Sequence, residues 1–353
     1  MKTRAAVHVK HGEPLVVDEI ELADPGPEEV LVRLYASGIC HSQLHQLHNP
    51  NSPTPTLLGH EATGVVSAKG RNVTHVKEGD RVMVTWVPRD TSPEGPMAQR
   101  AKYTYQGQQH DTGVYTWAED VLVHEQLVLP LDPSMPTDVT AIIGCAVVTG
   151  VGAVLGSAKV PAGATVAVFG VGGVGLNVVC GAKIASAGRI IAVDLDDEKL
   201  KFAQELGATD VINARSTDAV QAIRELTGGG VDFAFDAIGL ELTTQQIIEA
   251  VRPGQLGSHR GGTAVLVGVP QGPATINAMA MLIGERNFIG SLGGSSHPKI
   301  DFPQYVEWFK QGALPLDKMV TKIYGSLDDI NEGVRALEAG EISGRSIMVY
   351  REA

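Results

Sequence analysis

Cysteine is scarce in this chain. Only three of its 353 residues are cysteines, Cys40, Cys145 and Cys180, and they lie far apart. An odd and widely spaced set excludes a dense disulfide framework and favours a reducing compartment, so we expect a cytoplasmic location.

Long apolar runs are also missing. No segment approaches the roughly 20 apolar residues of a membrane-spanning helix, and the N-terminal residues alternate like a strand without a signal-peptide core. Basic residues are outnumbered by acidic ones, 28 against 40, which gives a formal net charge of −12. This excess of negative charge disfavours binding to nucleic acid or to an anionic membrane, and we expect neither as a partner.

Glycine, by contrast, is abundant, with 41 residues, and the chain is long enough for two domains. Up to about residue 129, short alternating segments broken by Gly, Pro and Asp predict a mainly antiparallel β domain. We interpret a polar, turn-rich stretch at 88–114 within it as a surface loop or lobe.

The pattern changes near residue 148, where apolar runs of five to seven residues begin to alternate with helical patterns. Buried strands separated by helices predict a doubly wound parallel sheet in an α/β fold. After residue 293, two helical patterns and a last strand, RSIMVY, are expected to pack back on the first domain. The predicted domains are therefore 1–147 with 293–353, and 148–292.

The segment VAVFGVGGVGLNVV places Gly170, Gly172 and Gly175 in G-x-G-x-x-G spacing, after an apolar strand and at the start of a helix. In this context the spacing is the fingerprint of a dinucleotide-binding fold. Gly170 permits a tight turn, Gly172 lets the backbone approach a pyrophosphate at the helix N-terminus, and Gly175 allows close helix–strand packing. Gly173 belongs to the same cofactor-binding loop.

Asp194 ends the next strand, RIIAVD, 19 residues after the last glycine of the fingerprint. A carboxylate at this point accepts hydrogen bonds from the adenosine ribose, and it repels a 2′-phosphate. Leu195 and Asp196 follow it, rather than an arginine. The sequence therefore favours NAD(H) over NADP(H).

The segment GICHSQLHQLH, residues 38–48, holds one cysteine and three histidines. Cys40, His41, His45 and His48 cannot all converge on one metal ion from so short a segment, so further ligands must come from elsewhere. A second segment, LLGHEATGVV, carries a histidine and a glutamate at a strand start, and a third, GCAVVTG, carries another cysteine.

Together, GICHS, GHEATGVVSAKGRNV, GCAVVTG, the glycine fingerprint and GEISGRSIMVY resemble the zinc-dependent alcohol dehydrogenases of the medium-chain dehydrogenase/reductase family, over essentially the whole length. The resemblance implies a GroES-like catalytic domain, a Rossmann nucleotide-binding domain and a catalytic zinc held by Cys40, His60 and Cys145. Such a Cys₂His set leaves the fourth position open, as in catalytic rather than structural zinc sites. The ion is then expected in the cleft between the domains.

The same resemblance assigns roles to neighbouring residues. Ser42 matches the hydroxyl that contacts the alcohol, and His45 matches the last histidine of a proton relay. Glu61 matches a carboxylate near the zinc, and His41 matches a contact to the cofactor pyrophosphate. Trp86 falls where relatives line the substrate pocket, with ordinary core packing as the alternative. Further cofactor contacts are implied at Thr149, Val174, Lys199 and Arg345.

The chain departs from the family pattern at two places. Residues 83–120 contain no cysteine, whereas the family's structural zinc lobe has four, so one zinc per chain is expected. Gln43 stands where many relatives have an aspartate that hydrogen-bonds the ligating histidine. Its amide oxygen can still accept a hydrogen bond but carries no charge, and such partners typically change metal affinity or activity about 10–100-fold.

We therefore expect hydride transfer between an alcohol, or its aldehyde or ketone, and NAD(H), with zinc as Lewis acid. Two alternatives stay open: a zinc-free quinone or enoyl reductase of the same superfamily, and a non-catalytic NAD-binding structural protein. The segment ATINAMAMLIGERNFIGSLG, residues 274–293, could form an edge strand that joins two nucleotide domains. A homodimer or homotetramer is therefore expected.

Overall fold

The computed structural model describes residues 1–352. They form two compact units: unit 1 combines Met1–Cys145 with the chain from His297 onward, and unit 2 is Ala146–Ser296. The first segment of unit 1 ends at Cys145, two residues before the predicted end at 147. Its second segment begins at His297, four residues after the predicted start at 293. The reason is local, because Ala146 already begins a helix of unit 2 and Gly294 still packs against Gly152.

The strands are, in chain order, β1 (Lys2–His8), β2 (Val16–Glu21), β3 (Glu29–Ile39), β4 (Thr56–Leu57), β5 (Glu61–Lys69), β6 (Arg81–Thr85), β7 (Ala101–Tyr105), β8 (Gln108–Thr112), β9 (Asp120–His124), β10 (Val128–Pro130), β11 (Thr165–Phe169), β12 (Arg189–Asp194), β13 (Asp210–Asn213), β14 (Phe233–Asp236), β15 (Thr263–Leu266), β16 (Asn287–Gly290), β17 (Val320–Tyr324) and β18 (Arg345–Val349). The α-helices are α1 (His41–His48), α2 (Ala146–Gly152), α3 (Gly173–Ile184), α4 (Asp197–Leu206), α5 (Ala219–Thr227), α6 (Glu241–Ala250), α7 (Ala278–Ile283), α8 (Pro298–Lys310), α9 (Leu316–Met319) and α10 (Ile330–Glu338). Short 3₁₀ turns lie at Glu125–Leu127, Val139–Gly144, Gly293–Ser295 and Leu327–Asp329, and a π-helical turn lies at Ala153–Ser157.

Unit 1 is built from two sheets. One has the order β4-β1-β2-β7-β8, and the other has the order β10-β6-β5-β3-β18-β17, with β9 also paired to β3. The C-terminal strand β18 pairs antiparallel with β3 and so extends the sheet of the N-terminal segment. Apolar side chains from both sheets share one core, in which Ile20, Leu34 and Tyr115 are fully buried.

Residues 88–114 were interpreted as a surface loop or lobe, and the loop alternative is wrong for their second half. Strands β7 and β8 form a hairpin there, with Tyr105 opposite Gln108. Gln106 and Gly107, the two turn residues, both have positive φ, at 50° and 77°, which matches a two-residue turn that follows strand twist. The polar composition concealed the alternation that buries Tyr103.

Unit 2 contains the predicted parallel sheet, with strand order β13-β12-β11-β14-β15-β16. Every neighbouring pair in it is parallel. The chain runs outward from β11 to β13 and then restarts on the other side of β11 with β14. Ligands of such sheets bind at this switch point, beyond the carboxyl ends of the strands, and the glycine fingerprint follows β11.

Within residues 1–352, no helix has both the length and the apolar character that crossing a bilayer requires.

Candidate metal centre and dinucleotide-binding loop

Three separate segments of unit 1 bring the predicted zinc ligands together. Cys40 directly follows β3, and His60 directly precedes β5, which pairs antiparallel with β3. Because Ser37 of β3 lies opposite Ala62 of β5, the end of one strand meets the start of the other. Cys145 follows the second 3₁₀ turn of the chain.

A buried threonine holds the backbone before Cys145. Thr85, at the end of β6, donates its hydroxyl to the carbonyl of Gly144 at 2.6 Å and accepts from the N–H of Val87 at 3.2 Å. Gly144 fits because it lacks a side chain: a Cβ there would lie 2.6 Å from the carbonyl oxygen of Val84. The approach of this segment to the sheet therefore places the second cysteine.

The ligand atoms form a compact triangle. The Sγ atoms of Cys40 and Cys145 lie 3.8 Å apart, Nε2 of His60 lies 3.0 Å from Sγ of Cys145, and all three atoms lie within 4.8 Å of one another. A tetrahedral zinc, with bonds of about 2.3 Å to sulfur and about 2.0 Å to nitrogen, gives edges of about 3.8 Å between sulfurs and about 3.5 Å between sulfur and nitrogen. The 3.8 Å between the two sulfurs matches this geometry. The 3.0 Å between Nε2 of His60 and Sγ of Cys145 is a hydrogen-bond distance, somewhat shorter than the edge of a zinc site. The donor set therefore fits a catalytic zinc.

A hydrogen bond between the two thiols sets their protonation. Cys145 donates to Cys40, which lowers the pKa of Cys40 well below its usual value, and the charge of Arg345 and a hydrogen bond from His60 act in the same direction. The same hydrogen bond, together with burial, raises the pKa of Cys145. Deprotonation of Cys40 is therefore favoured, and the thiolate is the form that binds metal. Cys180 differs, because burial raises its pKa to about 12, as suits a small core residue.

A buried ion pair lies next to the ligands. The guanidinium of Arg345, on β18, donates to a carboxylate oxygen of Glu61, on β5, and the two side chains are only 5% and 0% exposed. Burial opposes the charge of Arg345, but the negative charges of Cys40 and Glu61 outweigh it and raise the pKa of the guanidinium. Gly38 makes room for the carboxylate, since a Cβ there would lie 2.5 Å from Cδ of Glu61.

Gln43 connects two of the ligands. Its Oε1 accepts from the backbone N–H of Cys40 at 3.2 Å, and its Nε2 donates to Nδ1 of His60. Cys40 is the N-cap of α1 and Gln43 is the third residue of the helix, so the first contact belongs to a capping box. The amide oxygen that was expected to face the histidine is therefore used by the helix cap.

In unit 2, the fingerprint glycines form the turn from β11 into α3. Gly170 has a φ of +83°, and a Cβ at Gly175 would lie 2.8 Å from the carbonyl carbon of Gly170. Gly172 is the N-cap of α3, and a Cβ built on it meets no atom within 4 Å. Open space before the N–H groups of a helix N-terminus fits the pyrophosphate of a dinucleotide.

Asp194 lies beside this loop, at the end of β12. Its Oδ2 accepts from the N–H of Val171 at 2.9 Å, and its Oδ1 accepts from the N–H groups of Leu195 at 2.7 Å and Asp196 at 3.2 Å. The carboxylate therefore ties the glycine loop to the neighbouring strand. This positioning contact was not anticipated from the fingerprint.

Comparison with known proteins finds two family profiles in the chain. The zinc-binding dehydrogenase family profile matches residues 173–311, and the alcohol dehydrogenase GroES-like domain profile matches residues 26–133. The chain is 35% identical to alcohol dehydrogenase class-3 of Cereibacter sphaeroides, over 99% of this chain and 100% of that protein. It is also 35% identical to S-(hydroxymethyl)glutathione dehydrogenase of Paracoccus denitrificans, with the same coverage of 99% and 100%. This chain belongs to the zinc-type alcohol dehydrogenases.

Solved structures of this dehydrogenase family share the whole fold. An alcohol dehydrogenase zinc-binding domain protein from Burkholderia ambifaria has a TM-score of 0.87 at 31% identity and covers 100% of both chains. Benzyl alcohol dehydrogenase from Acinetobacter calcoaceticus has a TM-score of 0.86 at 28% identity, over 99% of this chain and 100% of that one. The predicted family, the α/β fold with its GroES-like and Rossmann parts, and the zinc and nucleotide cofactors are thereby confirmed.

Helix α1 of this alcohol dehydrogenase carries three further predicted site residues. The Ser42 hydroxyl donates to Sγ of Cys40 at 3.3 Å, so it lies at the donor set. His45 is half-buried and three residues further along, on the same face of the helix. His41 is exposed, and its ring centroid lies 5.9 Å from that of His45. His48, for which no role was predicted, pairs with Glu338 at 2.8 Å.

Other predicted positions divide between the two units of the dehydrogenase. Trp86 is half-buried, and its ring lies edge-on to that of His60, with 6.4 Å between the ring centroids. This position is compatible with both predicted roles, lining the substrate pocket and packing in the core. Val174 is in the first turn of α3 and Lys199 in the first turn of α4. The hydroxyl of Thr149, on α2, is buried without a hydrogen-bond partner among the described residues. Their contacts with cofactor or substrate stay predictions.

Proposed function

We propose that this chain is an NAD(H)-preferring, zinc-dependent dehydrogenase that interconverts a small alcohol with its aldehyde or ketone. The convergence of Cys40, His60 and Cys145, with ligand atoms within 4.8 Å of one another, carries the proposal. Neither a zinc-free reductase of the same superfamily nor a structural NAD-binding protein requires such a set of metal ligands. The fingerprint loop in the same chain supports the cofactor.

Zinc held by these ligands would act as a Lewis acid on the alcohol hydroxyl or the carbonyl oxygen. The protein must then carry away the alcohol proton. We propose that Ser42 accepts that proton while releasing its own; the 3.3 Å between its hydroxyl and Sγ of Cys40 supports this role. His45 would take up the proton and pass it to water, and its half-buried position on the same face of α1 supports that role.

The preference for NAD(H) rests on the end of β12. The carboxylate of Asp194 is held at the glycine loop by the N–H of Val171, where a 2′-phosphate would meet its negative charge. Leu195 and Asp196, which follow it, offer no cation to balance such a phosphate. Arg345, predicted to contact the pyrophosphate, pairs with Glu61, so we propose its cofactor contact as a second task of the same guanidinium.

The test is an assay of NADH and NADPH oxidation with a panel of aldehydes and ketones, and of the reverse reaction with the corresponding alcohols. The alcohols for the reverse reaction include S-(hydroxymethyl)glutathione and benzyl alcohol, the substrates in the names of two relatives. Turnover should require NAD(H) and stop with a zinc chelator. Activity that is unchanged after the metal is stripped would favour the zinc-free reductase, and no turnover with any substrate would favour the structural protein.

Cys145→Ala and Cys180→Ala form a matched pair for this assay. Cys145 belongs to the ligand triangle, whereas Cys180 is buried in unit 2, where its thiol donates to the carbonyl oxygen of Leu206 at 3.9 Å. The first substitution should abolish turnover and zinc binding but leave NADH binding intact. The second should retain zinc and turnover; equal loss in both variants would speak against the ligand assignment.

We also propose a homo-oligomer whose basic unit is a dimer. Strand β16 is an edge of the six-stranded sheet, and α7 beside it has no buried residue. Met279, Leu282 and Ile283 are 65%, 72% and 72% exposed. A free strand edge beside exposed apolar side chains suits pairing with β16 of a second copy. Light scattering should give at least twice the chain mass, and Leu282→Arg should lower it; a monomeric wild type would reject the proposal.

We propose a cytoplasmic location, because all three cysteines are free thiols and two of them are proposed metal ligands.

A further inference from the structure

The side chain of Gln43 lies between the backbone N–H of Cys40 and the ring of His60, two parts of the metal centre. It is 1% exposed, so water does not complete its hydrogen bonds. On one side is the backbone N–H of Cys40, 3.2 Å from Oε1, and on the other is Nδ1 of His60, in contact with Nε2. The amide thus bridges the backbone of one zinc ligand and the ring of another.

The ring of His60 is oriented by its surroundings. Its Nε2 lies 3.0 Å from Sγ of Cys145, so Nε2 is the nitrogen available to the ion, and Nδ1 is the nitrogen that faces Gln43. A neutral imidazole that binds metal through Nε2 carries its proton on Nδ1. In the zinc-binding form, Gln43 therefore meets two donors: Nδ1–H of His60 and the backbone N–H of Cys40.

The two donors lie at opposite ends of the Gln43 amide group, one beside the oxygen and the other beside the nitrogen. The amide has one oxygen, which accepts, and one NH₂ group, which only donates. If the oxygen stays on Cys40, the NH₂ group meets Nδ1–H of His60; if the amide turns over, it meets the N–H of Cys40 instead. In either orientation one buried N–H group lacks an acceptor, and an unsatisfied buried donor is costly.

We infer that Gln43 limits the zinc affinity of this site, because its amide can satisfy only one of the two N–H groups that metal binding presents to it. A carboxylate of the same length would accept from both. The inference rests on the zinc ligands of the proposed function and adds a residue that sets how tightly they hold the metal. Gln43 acts through His60 and Cys40, and so is a positioning residue rather than a catalytic one.

The test compares zinc affinity in three proteins by competition with a chromophoric chelator. Gln43→Glu should bind zinc about 10–100-fold more tightly than wild type, the range usual for such partners. Gln46→Glu is the matched control, since it adds the same charge on an exposed position of the same helix, and it should leave the affinity unchanged. An affinity of Gln43→Glu equal to or below that of wild type would overturn the inference, and so would an equal gain in both variants.

Wild-type protein provides a second measurement that does not depend on a variant folding. Because the chain has three cysteines, selective ¹⁵N-cysteine labelling gives three backbone amide signals, and histidine labelling reports the ring of His60. With zinc bound, either the Cys40 amide or Nδ1–H of His60 should show the shift and fast exchange of an unpaired donor. Signals typical of hydrogen-bonded donors from both groups would refute the claim that Gln43 accepts from only one of them.

The two proposals fail separately. A wild-type protein that binds no zinc at all would remove the proposed function. A wild-type protein that binds zinc and turns over, but gains no affinity from Gln43→Glu, would remove only the inference about Gln43.

Discussion

Replacing Arg345 by methionine should destabilise unit 1 strongly, because it removes the guanidinium that balances the charge of the buried Glu61 carboxylate. The pair is 5% and 0% exposed, so water cannot replace the guanidinium. Removing one member of a buried ion pair typically costs about 3–5 kcal/mol. For a unit of about 200 residues, each kcal/mol shifts the melting temperature by about 2–4 °C, which predicts a loss of about 6–20 °C.

Thermal unfolding followed by circular dichroism, at saturating zinc for every variant, measures this loss. Lys2→Met is the control, because it removes an ion pair with Glu19 whose side chains are 62% and 52% exposed, and it should leave the melting temperature unchanged. The double variant Glu61→Gln/Arg345→Met, which buries no charge at the pair, should recover most of the loss. An Arg345→Met protein as stable as wild type, or a double variant less stable than the single one, would refute the reasoning.

Three further predictions concern the cofactor, the proton path and acid stability. Asp194→Gly should reduce the preference for NADH over NADPH in a cofactor titration, because the carboxylate that repels a 2′-phosphate is gone; an unchanged ratio would contradict this. His45→Gln should slow alcohol oxidation chiefly at low pH, where hydroxide cannot replace the imidazole as proton acceptor, and an identical pH–rate profile would rule out the relay. Burial opposes the charge of Asp232, but hydrogen bonds from Thr165 and Arg252 outweigh it and lower the pKa of Asp232 below 3.8. Asp232→Asn should therefore lower the free energy of unfolding above about pH 4, and the difference from wild type should vanish as the pH falls through the lowered pKa; a difference that grows in acid would contradict the sign.

Features tied to local pattern were predictable from the sequence. The glycine spacing after an apolar strand predicted the turn at Gly170, and alternation of apolar runs with helical patterns predicted the parallel sheet. The three zinc ligands could be named because the motifs around them resemble those of the zinc-dependent alcohol dehydrogenases. Residues 101–112 were missed because their alternation is hidden by polar side chains such as Gln109 and Asp111 on the exposed face.

Contacts that depend on tertiary packing were not predictable in the same way. No local pattern shows that the hydroxyl of Thr85 holds the carbonyl of Gly144, 59 residues away. The pairing of Arg345 with Glu61 joins positions 284 apart. For Gln43 a signal did exist, since a glutamine three residues after an N-cap is typical of a capping box. That signal predicts the contact to the backbone of Cys40, which competes with His60 for the amide oxygen.

The missing side chain at Gly38 limits how this enzyme can be redesigned. The strand that delivers Cys40 passes so close to Glu61 that even a methyl group at residue 38 would occupy the space of the carboxylate. A library that preserves all three metal ligands but randomises this glycine should therefore return almost no metal-binding clones. Substitutions at Gly38, the first residue of GICHS, are excluded by steric overlap with Glu61, although Gly38 itself does not bind zinc.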